Sequence, residues 1–142
     1  MKTVRQLLQG KQGALCTIGP GAPVIDALRL MADRNVGALL VVDGDRLVGI
    51  VSERDYARKV ILRGKSSQDT PVSGIMTERP VCVQPDNTID ECMALMTDKR
   101  IRHLPVIEGA RLVGVLSIGD LVKETIAEQQ FTIRQLESYI HS

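Results

Sequence analysis

The stretch MADRNVGALLVVDGDRLVGIVSERDYARKVI, residues 31–61, returns as MTDKRIRHLPVIEGARLVGVLSIGDLVKETI, residues 96–126. The offset of 65 holds outward from it without a gap, so residues 17–61 repeat at 82–126. Of the 45 aligned positions 14 are identical, from Pro20/Pro85 to Ile61/Ile126. Others keep their kind, as Ile18/Val83, Val24/Ile89, Val36/Ile101 and Val42/Ile107 do. Self-similarity at a fixed period implies two copies of one supersecondary unit that bury a face against each other. A unit of this size exposes too much apolar surface to stand alone, so the copies are expected to pack about a pseudo-twofold axis.

Each copy reads β-α-β-β-α, which places the chain in the mixed α/β (α+β) class. A short apolar piece, Cys16–Ile18 or Val81–Val83, leads through a Pro-containing turn into an amphipathic helix. Its apolar stripe is Val24, Ala27, Leu28, Met31 and Ala32 in the first copy, and Ile89, Cys92, Met93 and Met96 in the second. Two β-rich segments follow, Ala38–Val42 with Leu47–Val51 and His103–Ile107 with Leu112–Leu116. Short turns around Gly44 and Gly109 mark each pair as a hairpin. The last helix of each copy starts at Ser52 or Ser117. Before the copies stand two similar short turns, Val4–Leu8 and Val72–Met76. The expected division is a first repeat over 1–65, a second over 66–127 and a helical tail over 128–142, with a polar linker at 62–71. Val122, Ile126, Ile133, Leu136 and Ile140 keep close to heptad spacing, so the tail packs either on a second chain or back on its own module.

Composition narrows the function. Hydrophobic residues make up 44% and charged residues 25%, with 18 basic against 17 acidic side chains mixed along the chain. No broad basic face is available for nucleic acid or an anionic membrane. Aromatics are 2%, too few for a base-stacking platform. No apolar run reaches a membrane span, and the amino-terminal stretch lacks a signal-type apolar region. Three cysteines, Cys16, Cys82 and Cys92, follow no metal-ligand spacing, which suits a reduced cytoplasmic setting. Neither a Walker-type nor a Rossmann glycine motif is present.

The pattern resembles the CBS domain, a small module found as tandem pairs. Gly49-Ile-Val-Ser-Glu-Arg-Asp55 and Gly114-Val-Leu-Ser-Ile-Gly-Asp120 carry the resemblance in the same register. Val72-Ser-Gly-Ile-Met-Thr77 and Arg102-His-Leu-Pro-Val106 support it, and it covers about residues 3–127. The resemblance implies a stand-alone regulatory pair, not an enzyme. It also implies clefts that bind adenosine nucleotides (AMP, ADP, ATP, sometimes NAD or S-adenosylmethionine) and dimerisation into a four-domain disc.

Site residues follow from that resemblance, each beside a plainer reading. Ser52/Asp55 and Ser117/Asp120 fit a capping-box start to a helix. In the resembled family the Asp contacts ribose, and the Ser hydroxyl and helix amides meet sugar or phosphate oxygens. Arg102 and His103 stand where the family often places phosphate donors; their counterparts Gly37 and Ala38 can supply none. The second-repeat cleft is thus expected to hold Cys82, Val83, Ile101, Arg102, His103, Pro105, Ser117, Ile118 and Asp120. The first-repeat cleft is expected to hold Thr17, Ile18, Val36, Gly37, Ala38, Ser52, Arg54, Asp55 and Arg58. Arg54 and Arg58 lie one turn apart, either as a solvated face or as phosphate partners for a longer ligand such as NAD or NADH. No metal is called for. Cys82 reads as a small core thiol before it reads as a redox sensor.

Overall fold

The computed structural model describes residues 2–11 and 15–141. Helix α1 (Val4–Gly10) opens with a capping box in which the Thr3 hydroxyl accepts from Gln6 N–H and the Gln6 side chain returns to Thr3 N–H. The first repeat then gives β1 (Thr17–Ile18), α2 (Val24–Arg34), β2 (Ala38–Asp43), β3 (Arg46–Ser52) and a short α3 (Glu53–Tyr56). The second gives β4 (Thr77–Glu78), α4 (Ile89–Lys99), β5 (His103–Glu108), β6 (Arg111–Ser117) and α5 (Ile118–His141).

Both hairpins form where the alternation places them. β2 and β3 pair antiparallel from Ala38↔Ser52 to Asp43↔Arg46, and β5 and β6 from His103↔Ser117 to Glu108↔Arg111. Gly44 and Gly109 take φ near +64° and +65° at the turns, a conformation that costs glycine nothing. β1 runs parallel to β2. The second copy's piece, Val81–Val83, forms only a single bridge from Val83 to Val106. The final helices also differ. After Tyr56 the first repeat loosens into a π-helical turn over Ala57–Ile61, whereas α5 runs unbroken for 24 residues. The expected tail is therefore the far end of one helix.

Two apolar cores form, and each takes in a segment from outside its own repeat. The first joins Val24, Ala27, Met31, Leu39, Val41, Val51 and Val60 with Val72 and Ile75. The second joins Ile89, Cys92, Met96, Leu104, Val106, Leu116 and Leu121 with Val4 and Leu7. The short turns that precede the repeats have thus been exchanged. Three backbone bonds repeat on both sides: Val4 N–H to Asn87 O (2.9 Å) matches Val72 N–H to Ala22 O (2.8 Å), Arg5 to Pro85 (2.9 Å) matches Ser73 to Pro20 (2.9 Å), and Ile89 to Lys2 (3.1 Å) matches Val24 to Thr70 (2.8 Å). Chain order and packing accordingly divide differently: residues 2–11 precede the first repeat and pack with the second.

Gly49 and Gly114 show what the exchange requires. A Cβ on Gly49 would stand 2.7 Å from Met76 Sδ and 2.8 Å from Thr77 O; one on Gly114 would stand 2.8 Å from Leu8 Cδ2. The glycine of each Gly-hydrophobic-hydrophobic-Ser stretch is the place where the other repeat's lead-in lies down on the strand. β4, part of such a lead-in, pairs with β3 and becomes the fourth strand of the first sheet.

Candidate functional site

Both Ser-x-x-Asp corners are built as helix starts. Asp120 N–H donates to Ser117 Oγ at 3.1 Å, and Ser117 N–H donates to Asp120 Oδ2 at 2.8 Å. At the first corner Asp55 N–H donates to Ser52 Oγ (3.2 Å), and both the N–H (2.9 Å) and the hydroxyl (3.0 Å) of Ser52 donate to Asp55 Oδ2. The capping role is therefore real at both ends, and it holds each carboxylate in one orientation.

Each carboxylate also has a lysine, drawn from a different place. Asp55 pairs with Lys59 one turn on (Nζ to Oδ1, 3.2 Å), whose ammonium also donates to Ile75 O at 2.9 Å. Asp120 pairs with Lys11 of the exchanged lead-in: Nζ donates to Asp120 Oδ2 at 2.8 Å and to Val115 O at 2.7 Å. Burial alone would raise the Asp120 carboxyl. The Lys11 ammonium and the Ser117 N–H and hydroxyl outweigh it and hold the group below the usual carboxylate range. His103 is half-buried and held below its ordinary value, first by burial and then by Lys11 and Arg102, against the opposing pull of Asp120.

Lys11 also lines a cleft of about 280 Å³ that lies between the repeats. Cys16, Val36, Ala38 and Ile50 come to it from the first repeat, Val113 to Val115 from the second, and Leu8 from the lead-in, with Arg34 as a further cation. An apolar slot with cations and a fixed carboxylate beside it suits a flat apolar ring carrying a polar, anionic substituent.

The structure distributes the expected site residues differently from the sequence reading. Val36 and Ala38, assigned to a first-repeat cleft, share a wall with the lysine that grips Asp120. Gly37 lines a separate hollow of about 560 Å³ with Val36, Glu53 and Tyr56. Thr17 is exposed and Ile18 packs on the first core, while Arg54 and Arg58 are exposed. In the second repeat, Val83 is buried in the core and the half-buried Ile101 and Ile118 pack against it. Pro105 is buried, and its carbonyl accepts from Val83 N–H at 2.9 Å. Arg102 is exposed, and its carbonyl accepts the Ile118 N–H at 2.8 Å. Cys82, read as a core thiol, is exposed and lines a hollow of about 510 Å³ with Arg46, Arg79 and the two hairpin ends. Lys11, Leu8, Arg34 and Ile50 were not among the expected residues. The alignment compared like with like, and these meet the site through unlike parts of the chain. Among the described residues no three His, Cys, Asp or Glu side chains converge as a metal site.

The CBS domain family profile matches residues 14–62 and again 72–126. A protein with CBS domains from Burkholderia ambifaria is 54% identical, with a TM-score of 0.87 over 93% of this chain and 99% of that one. A CBS-domain containing protein from Agrobacterium tumefaciens is 37% identical, with a TM-score of 0.83 over 87% and 99%. A mitochondrial CBS domain-containing protein of Arabidopsis thaliana is 44% identical over 122 residues, which are 82% of this chain and 59% of that protein. The chain thus spans about three fifths of that relative and, at 22%, a smaller part of longer Arabidopsis ones. The chain belongs to the CBS domain family and carries two copies of the domain, folded as a pair.

Proposed function

We propose that this CBS pair is a ligand-binding regulatory module whose cleft between the repeats takes an adenosine nucleotide. The observation that carries the reading is a cleft lined by an apolar wall (Val36, Ala38, Ile50, Val113 to Val115) and by Lys11, whose ammonium is bonded to the oriented Asp120. The base fits the apolar wall, the ribose diol suits the carboxylate, and the 5′-phosphate suits Lys11, Arg34 and the nearby Arg102–His103 pair. A solved CBS domain pair with a TM-score of 0.80 and 22% identity is in complex with 5′-methylthioadenosine and S-adenosyl-L-methionine, which shows that this fold can seat adenosine. The cations here favour a phosphorylated adenosine over a sulfonium one. AMP, ADP or ATP is therefore the ligand class we assign, with NAD or NADH as the longer alternative.

A ligand seated against both repeats and a lead-in binds one packing better than another, which is the thermodynamic basis of a sensor. The module acts by that shift and not by catalysis, works as a homodimer, and sits in a reduced cytoplasmic setting. Its three free cysteines support the last point, and no helix among the described residues is long and apolar enough to cross a membrane. The test is a thermal-shift panel of adenosine, AMP, ADP, ATP, NAD, NADH and S-adenosylmethionine. At about 100 times the dissociation constant a true ligand stabilises by roughly 2.7 kcal/mol, on the order of 5–10 °C here. Silence across the panel rejects the sensor reading and leaves a structural pairing module with unused clefts.

A further inference from the structure

Helix α5 has two halves with different surroundings. Its first turns belong to the second core: Leu121 is fully buried, Thr125 Oγ1 lies 3.7 Å from Met93 Sδ, and Glu124 pairs with Lys2 at 2.9 Å. From Ile126 to His141 every residue is exposed. A helix of that length is marginal in water without a partner. Even so, it carries an unburied apolar stripe: Val122, Ile126, Ile133, Leu136 and Ile140 are 42, 49, 53, 58 and 74% exposed.

The stripe has the register of a coiled-coil seam. With Gln129 included, the positions 122, 126, 129, 133, 136 and 140 advance by alternating steps of four and three. Isoleucine occupies every a position (Ile126, Ile133, Ile140); Val122, Gln129 and Leu136 occupy d. In a parallel coil, β-branched residues at a with leucine at d, as at Ile133 and Leu136, favour two strands over three or four, and one polar seam residue sets the register at some cost in stability. We propose that residues 122–140 form a parallel two-stranded coiled coil with the same residues of a second copy of this chain.

Charge permits a second copy, and area sets how tightly it is held. Parallel pairing brings Thr125 opposite Gln130 and Thr132 opposite Glu137 along the flanks, so no like charges meet there. The seam is about 27 Å long and one helix, about 10 Å, wide, so each chain contributes on the order of 300 Å² of contact plane. That is well short of the roughly 800 Å² per partner of a standard stable interface, so the pairing is reversible and concentration-dependent. The contact is isologous and closes at two chains.

The proposal supplies the surface for the homodimer above and is independent of the ligand. Sedimentation velocity over a dilution series of the full chain is expected to show monomer and dimer in exchange. Ile133→Glu should abolish the dimer while leaving unchanged any nucleotide shift and, at concentrations where the parent chain is monomeric, the melting temperature, because Ile133 touches neither core. In a Cys16→Ser, Cys82→Ser background, Ile126→Cys and Ile140→Cys should each cross-link to their own kind under mild oxidation, and Phe131→Cys on the outer face should not. A dimer that survives Ile133→Glu keeps the homodimer but overturns the coiled coil. A monomer at every concentration overturns both, and cross-linking only between mixed Ile126→Cys and Ile140→Cys chains overturns the parallel arrangement.

Discussion

The Lys11 ammonium, 2.8 Å from Asp120 Oδ2, occupies the carboxylate to which the ribose of a bound nucleotide is assigned, and the two residues lie 109 positions apart in the chain. Ligand entry therefore has to reorganise a pair that also fastens the amino-terminal segment to α5.

Removing the ammonium tests the pair directly. In Lys11→Met, Asp120 is left with burial opposing only the Ser117 bonds, so its carboxyl should titrate higher, read from the Asp120 side-chain carboxyl by NMR. A group whose folded value is depressed stabilises above its unfolded value and loses that contribution as pH falls through the folded one. The variant should thus be less stable at neutral pH, by about 1 kcal/mol or less for a part-exposed pair, and lose less between neutrality and acid. An unchanged Asp120 titration would show that the bridge contributes nothing in solution.

His103 gives the cleft a second pH dependence. Burial, Lys11 and Arg102 depress its value, so it is neutral at pH 7 and its contribution to stability fades as pH drops below about 6.5. A phosphate arriving nearby reverses the balance and draws a proton onto the ring. AMP should therefore bind more tightly as pH falls from 7 toward 6, by at most about tenfold per pH unit for one proton taken up. Titration calorimetry in two buffers of different ionisation heat measures the uptake. His103→Gln should flatten the slope, and an identical slope in that variant would remove His103 from the site.

The two motif glycines should differ in their tolerance of a methyl group. At Gly49 the new Cβ meets a backbone carbonyl, Thr77 O at 2.8 Å, which can move only with its strand. At Gly114 it meets the tip of Leu8, which can turn aside. Gly49→Ala is expected to cost on the order of 1–3 kcal/mol in urea unfolding, and Gly114→Ala less. Adding Leu8→Ala to Gly114→Ala should add less than Leu8→Ala alone costs, since the clash disappears with the leucine tip.

Thiol labelling separates the cysteines. Burial, with Glu91 alongside, pushes the Cys92 thiol up to about 11, and its side chain is fully enclosed. Cys82 is raised by burial to a lesser degree and is exposed. In native protein at mildly alkaline pH, Cys82 should react with an aromatic disulfide reagent long before Cys92, which should label only on unfolding. Equal rates would mean that the second core opens easily.

The repeat made the hairpins, the glycine turns and the capped helix starts legible, because each is written in a few neighbouring residues. The Ser117/Asp120 and Ser52/Asp55 corners were readable for the same reason. Aligning copy to copy concealed who touches whom. Val36 and Ala38 line the same cleft as Val113 to Val115, and that relation leaves no mark in a repeat compared with itself. Lys11 lies outside the repeated stretch and reaches Asp120 only because α1 packs on the other core through Val4 and Leu7. A cysteine is usually a small buried group, which is why Cys82 reads as a core thiol; in the structure it is exposed, as is the equivalent Thr17. Of the two equivalent first pieces, that of the first copy pairs at both Thr17 and Ile18, and that of the second at Val83 alone.

The reciprocal lead-ins also bear on how such a chain can originate. A polypeptide with one lead-in and one repeat has no second repeat to give its segment to and none from which to receive one. One way to complete its core is to trade that segment with a twin, as domain-swapped partners do. Duplication in tandem turns that trade between molecules into one within a molecule, at an effective concentration set by the ten-residue linker. The fold holds, in Val4 and Leu7 on one side and Val72 and Ile75 on the other, both halves of that reciprocal trade within a single chain.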